Sequence, residues 1–338
     1  MAGIEDVARL AGVSKSTVSR AYNGHSHVSA KTVRNVLEAA LKLGYVPSSS
    51  AYTLATGLNR NIGVVLPYVD RWYFGSVLAG IQSRLIAAGH DLTLYNFNGD
   101  LDQRSAIFTD FVLRKRVDAI VTISLKLTSA ELNTLKQLNK PVLAIGGPIE
   151  GAQSISIDDY GAAKLATMHL ISLGHRKIAL LGGAVEDKMD FHHLESRRAG
   201  YLSALADASI EVNEDWIIPS SFTLPGGYSA AKIALSDPRV HFSAIFAASD
   251  EMAIGAIIAA RDLGLRIPED VSVVGIDDHS LSEFFGLTTI AQDPEKQGSK
   301  AASLILDRLT GVQIEGGPDT EWPIRLVVRS STARYQGV

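Results

Sequence analysis

From residue 61 onward the chain repeats one alternation, and that repeat restricts its fold more than any other feature. Seven short apolar runs occur: I-G-V-V-L (62–66), D-L-T-L-Y (91–95), D-A-I-V-T-I (118–123), P-V-L-A-I (141–145), K-I-A-L-L (177–181), S-A-I-F-A (243–247) and V-S-V-V-G-I (271–276). Between them lie segments of helical length, among them 75–88, 102–114, 160–173, 194–206 and 250–263. Strands apolar along their whole length must be covered on both faces, so this alternation predicts βαβ units and parallel sheets flanked by helices, an α/β fold. Some 278 residues are many for one doubly wound sheet, and two lobes are expected. The break should fall near 150–160, after P-I-E-G-A-Q, and V-S-V-V-G-I followed by L-T-T-I-A-Q suggests a return crossing near 280–290.

The first 46 residues have a different texture. Ile4, Val7, Ala8 and Ala11 share one helical face, and Gly12-Val13 interrupts the pattern. Ser14 is placed to cap a second helix from Lys15 to Tyr22, which Asn23-Gly24 would end. Ser29 can cap a third helix with apolar positions Val33, Val36, Leu37, Ala40 and Leu41, closed by Gly44 and Pro47. Two short helices around a glycine-containing turn, with a third behind them, predict a small all-α helix-turn-helix unit. Residues 47–60 have linker composition, with Leu54 the odd apolar member.

The second of these helices is polar where a core segment should be apolar. In G-V-S-K-S-T-V-S-R-A-Y-N-G (12–24) only Val18 and Ala21 point back towards a partner helix, and Lys15, Ser16, Ser19 and Arg20 lie on the outer side. Residues 1–60 carry seven cations and three acids, although the whole chain has a net charge of −4. A basic head on an acidic body suits a polyanion partner, while a solvated basic terminus is the plainer alternative. Arg20 has the fork needed for a guanine edge.

At this point the residues resemble a known family. I-E-D-V-A-R-L-A-G-V-S-K-S-T-V-S-R-A-Y-N-G, V-S-A-K-T and L-G-Y-V-P are similar to the headpiece of LacI/GalR-type transcriptional regulators. The later blocks I-G-V-V-L-P, L-I-S-L-G-H-R-K-I-A-L-L-G-G, R-R-A-G-Y, A-A-S-D-E-M-A-I-G-A and I-P-E-D-V-S-V-V-G-I-D-D follow in the family's order. The resemblance implies a homodimer that reads operator DNA and a periplasmic-binding-protein-like core whose two lobes enclose a small effector. It implies a headpiece at 1–46, a hinge helix at 47–60, and a core at 61–338. The first lobe would comprise about 61–158 and 291–318, and the second about 159–290 and 319–338.

The resemblance also assigns residues. Lys15 and Ser16 occupy the base-choosing positions and Arg20 the constant reader, with Ser14, Thr17, Ser19 and Asn23 on phosphates. Ala51 and Leu54 stand at hinge positions, Leu54 as a wedge for the minor groove. Tyr52 replaces a frequent arginine there, and Ser48, Ser49 and Ser50 replace the usual N-A-L. For the effector it implies Arg197 and Asp277, with Ser249 and Gln292 as secondary contacts and Trp72, Tyr73 and Phe74 as stacking surfaces. A neutral polyol or sugar is the expected effector, since an acid, an arginine and aromatics suit hydroxyl-rich rings. Asp158 and Asp250 are expected to cap the helices after them.

Other function classes fare worse. The chain has no cysteine, so no disulfide or thiolate metal site can form. No secretion signal or membrane-length apolar stretch is apparent, which fits a cytoplasmic protein and counts against a sugar-binding transport component. Asp158-Asp159 and Asp277-Asp278 are adjacent and should diverge rather than share a proton. His25-x-His27 and His192-His193 lack a matching partner set for metal. Neither a P-loop nor a nucleophile elbow occurs, so no enzyme, metal or cofactor is expected.

Overall fold

The computed structural model describes residues 2–22, 28–45, 53, 57–114, 116–182, 192–239, 241–311 and 319–336. The chain comprises two compact units, Met1–Asn59 and Arg60–Val338.

In the first unit the helices Ile4–Ala11, Lys15–Tyr22 and Ala30–Leu43 pack around Val7, Ala8, Val18, Ala21, Val36, Ala39 and Ala40. Gly12 ends the first helix at φ 65°, in the left-handed region that glycine enters without a Cβ penalty. The turn then delivers Ser14, whose Oγ accepts the Thr17 amide at 3.2 Å. Ser29 does the same for Thr32 at 3.1 Å. The third helix departs from expectation: Leu37 and Leu41 are exposed, the latter by 84%. Two neighbouring stripes of that helix are apolar, and the one rich in alanine allows the closer approach that three short helices need.

The second unit holds two six-stranded sheets. The first is built from β1 (Asn61–Leu66), β2 (Asp91–Asn96), β3 (Ala119–Ile123), β4 (Val142–Ile145) and β5 (Gln153–Ser156). The second is built from β6 (Ile178–Leu181), β7 (Ile217–Ile218), β8 (Ala244–Ala247), β9 (Ser272–Asp277) and β10 (Thr288–Ala291). Two short late strands complete them: β11 (Thr320–Glu321) joins the first beside β5, and β12 (Arg325–Val327) joins the second beside β10. Strand order is β11-β5-β4-β3-β1-β2 and β12-β10-β9-β8-β6-β7. All pairings are parallel except β10 with β12.

The chain crosses to the second lobe after β5 and returns through the helix Pro294–Leu309, whose Ala301, Ala302, Leu304, Ile305 and Leu306 enter the first core. That helix lies on Trp72–Ala87 at very short range. A Cβ on Gly80 would overlap the Glu295 carbonyl oxygen, and one on Gly298 would overlap that of Val77. The final crossing corrects the expected boundary at 319. Because Thr320–Glu321 pairs with Ile155–Ser156, the last passage to the second lobe comes after 321. A two-residue edge strand is too short to leave a period in the sequence, and its pairing is decided by what lies beside it.

The expected helix at 102–114 is α-helical only over Leu101–Ala106, then widens through Ile107–Phe111 and tightens over Val112–Arg114. Asp158 caps the helix Asp159–Ser172, its carboxylate accepting the Gly161 amide at 2.9 Å. Asp250 does not cap. Ser249 caps Asp250–Asp262, accepting from Met252, and Asp250 turns inward, fully buried, to accept Ser282 Oγ and Thr289 Oγ1 at 2.6 Å each and the His279 amide at 2.9 Å. Three interior donors outcompete a single amide already served by serine. Among the described residues, no helix is long and apolar enough to cross a membrane.

Candidate effector cleft and DNA-reading face

In open parallel sheets, ligands collect beyond the carboxyl ends of the strands. Both sheets obey this rule. Ser124 follows β3, Gly146 follows β4, Asp159 lies beyond β5, Ser249 follows β8, Asp277 ends β9 and Gln292 follows β10; all line one cleft. Tyr73 and Phe74 enter from the first turn of Trp72–Ala87, and Phe222 enters from the loop after β7. Aromatic faces therefore bound the cleft from both lobes.

Arg197 is the central cation. It is buried, its Nε donates to Asp159 Oδ1 at 2.8 Å, and Nη1 donates to the Ala248 carbonyl. Burial works against its charge, but Asp159 and Asp277 outweigh that and raise its pKa. Asp277 is held at φ 136°, a region that non-glycine residues seldom occupy. Its Oδ1 accepts from Gln292 Nε2 at 2.5 Å. Burial pushes the Asp277 carboxyl up to about 8, opposed by the nearby Arg197. Burial also raises the Tyr73 phenol, whose neighbours include Ser124.

Because the folded protein keeps a proton on Asp277 that the unfolded chain gives up near its ordinary value of 3.8, this group's contribution to stability falls as pH rises towards about 8. Asp277→Asn, which resembles the protonated acid, should flatten that fall. Urea midpoints at pH 6.5 and 8 should then lie closer together in the variant than in the wild type, by up to about 1.4 kcal/mol of unfolding free energy per pH unit. Equal slopes would place the Asp277 proton elsewhere.

The structure brings Tyr73, Phe74, Arg197, Ser249, Asp277 and Gln292 together, and it excludes Trp72. That indole faces the imidazole of His279 instead, at a centroid distance of 4.7 Å. Adjacent residues at a helix start point in different directions, and the positions on either side of Trp72, Arg71 and Tyr73, reach the cleft where Trp72 does not. Gln292 is tied to Asp277, while its main-chain carbonyl accepts from Gln297 at 2.7 Å, so it orients the acid. Arg71, Ser124, Asp159, Phe222 and Glu251 also line the cleft, although no sequence motif points to them. Position after a strand would have flagged Ser124, whereas Phe222 lies in a loop with no periodic signal. The paired acids diverge: Asp158 caps a helix, and Asp278 meets Arg329 at 2.7 Å, away from Asp277. His193 lines the cleft, and the side chain of His192 lies outside the described residues.

On the first unit, Ser14, Lys15, Ser16 and Arg20 are exposed on one side of Lys15–Tyr22, and Thr17 and Ser19 are half-buried. Val18 and Ala21 fill the interior. Lys15 forms an ion pair with Glu5, and Ser14 Oγ lies 2.8 Å from Ser16 Oγ. An exposed ion pair of this sort contributes little and is readily exchanged for a phosphate. Asn23, His25, His27, Ala51, Tyr52 and Leu54 lie outside the described residues.

Two lobes around a polar and aromatic cleft, joined in one chain to a helix-turn-helix with a cationic outer face, define a ligand-responsive transcriptional regulator. Residues 3–48 match the model for bacterial regulatory proteins of the lacI family, and residues 167–332 match the periplasmic binding protein-like domain. The HTH-type transcriptional repressor PurR of Vibrio vulnificus (strain CMCP6) is 36% identical over 315 residues, 91% of this chain and 92% of that one. The lac repressor dimer bound to operator and the anti-inducer ONPF superposes with a TM-score of 0.82 at 29% identity, covering 98% of this chain and 99% of that one. A CelR transcriptional regulator in complex with cellobiose gives 0.72 at 30% identity, over 98% and 100%. The chain belongs to the LacI family. It is a DNA-binding transcriptional repressor with an effector-binding core, and not an enzyme.

Proposed function

We propose that this repressor works in the cytoplasm as a homodimer, reading operator DNA through Lys15, Ser16 and Arg20. Ser14, Thr17, Ser19 and Asn23 contact phosphates, and Ala51 and Leu54 serve the hinge. Operator affinity is controlled by a neutral sugar held by Arg197 and Asp277 between Tyr73, Phe74 and Phe222. The observation that carries this reading is the Arg197–Asp159–Asp277 cluster beneath aromatic faces. It offers a donor fork and a carboxyl acid to neighbouring hydroxyls, and apolar surface to a ring. Asp159 and Glu251 line the same cleft opposite Arg71 and Arg197, and with Asp277 protonated the lining carries no excess of positive charge to draw an anionic ligand. Among its relatives, CelR is seen with cellobiose and the lac repressor dimer with operator.

A thermal-shift screen with mono- and disaccharides, nucleosides and sugar phosphates tests the ligand class. A neutral sugar should raise the melting temperature by mass action, and stabilisation by sugar phosphates alone would overturn the assignment. Duplexes selected from random sequence test the reader. Arg20→Ala should relax discrimination at one operator position by about 1–3 kcal/mol while the headpiece stays folded, and unchanged sequence preference would remove Arg20 from the reading face.

A further inference from the structure

The loop after β9 sends two neighbouring side chains to different places. Asp277 faces the cleft, while the His279 ring lies against Trp72 with centroids 4.7 Å apart and planes inclined by 37°. Trp72 begins a helix of the first lobe and His279 follows a strand of the second, so the pair touches across the lobes, outside the cleft lining. The imidazole is fixed from behind, because Nδ1 accepts the Leu281 amide at 2.9 Å. Its own main-chain amide donates to the buried Asp250, which also binds Ser282 and Thr289 and so pins the loop to β10. On the other side, Trp72 sits between Arg71 and Tyr73, both of which line the cleft. Each ring therefore lies within two residues of a cleft-lining residue, Trp72 beside Arg71 and Tyr73 and His279 two positions after Asp277.

We propose that Trp72 and His279 are positioning residues, a tilted ring-to-ring contact that holds the lobes in one arrangement and thereby links cleft occupancy to operator affinity. This rests on the reading of the protein as a ligand-responsive regulator. Neither ring touches the effector. Each acts through the segment that carries it, so a ligand that draws on Asp277 also loads or unloads the contact. The contact is between flat surfaces, and a phenyl ring can replace the indole where a methyl group cannot.

The chain has no cysteine of its own, so a W72C/H279C pair in the full-length protein can be bridged by a short bifunctional thiol reagent. The probe is a duplex recovered by the wild-type protein from a random-sequence pool. Bridged and unbridged protein should differ by about tenfold or more in affinity for that duplex. W72F should stay within about twofold of the wild type, with W72A clearly outside that range. Equal affinity with and without the bridge overturns the proposal, as does W72A binding like W72F. A wild-type protein that selects no duplex overturns the regulator reading itself, and this inference with it.

Discussion

Arg197→Met is expected to abolish the response to effector, weakening ligand affinity by at least about a hundredfold. The guanidinium does two things that no thioether can. It neutralises Asp159 inside the cleft, and it satisfies the Ala248 carbonyl at the end of β8. Removing it leaves a partly buried acid and an orphaned acceptor facing the place where the ligand must sit, and breaking such a pair costs at most about 3–5 kcal/mol, the figure for a fully buried one. Arg197→Lys should be nearly as damaging, because one ammonium cannot span two partners at fixed angles. Calorimetry with a sugar from the screen measures the loss, and duplex retention without ligand provides the control. A variant that still responds fully would move the effector site away from Arg197.

The second large effect concerns folding. Gly298→Val should destabilise the core by about 3 kcal/mol or more, since the added atoms would overlap the main chain at Val77 rather than a side chain that can swing aside. That is roughly 6–12 °C in melting temperature for a unit of this size. Gly298→Ala should fall between the two, because even one Cβ meets that carbonyl oxygen. A melting temperature unchanged in the valine variant would mean that Pro294–Leu309 and Trp72–Ala87 lie farther apart. The consequence reaches beyond one contact. This helix crossing returns the chain to the first lobe, so the same glycines that permit close packing keep the lobes attached at a second point.

Much of the molecule is legible in its amino-acid order. The apolar runs mark the central strands β1, β3, β4, β6, β8 and β9 because a strand buried on both faces must be apolar throughout, and that leaves a local trace; β2, at the sheet edge, is marked by alternation in D-L-T-L-Y instead. Ser14, Ser29 and Asp158 announce helix starts because a cap needs its oxygen within three residues of the amide it satisfies. The family blocks single out Arg197 and Asp277, the two groups at the centre of the cleft. Residues whose placement depends on distant neighbours stay hidden: Phe222 in its loop, the edge strand Thr320–Glu321, and the inward turn of Asp250 towards Ser282 and Thr289.

Short-range periodicity and local hydrogen bonding thus fix the alternating strands and helices, the helix-turn-helix, and the outward side of Lys15–Tyr22, all of them readable from the chain alone. Tertiary packing decides which apolar stripe of Ala30–Leu43 is buried. It also decides that Trp72 leaves the cleft for His279, and that Asp159 becomes the counter-charge of Arg197. These choices compare the free energies of alternative contacts between segments far apart in the chain, and no local pattern records that comparison.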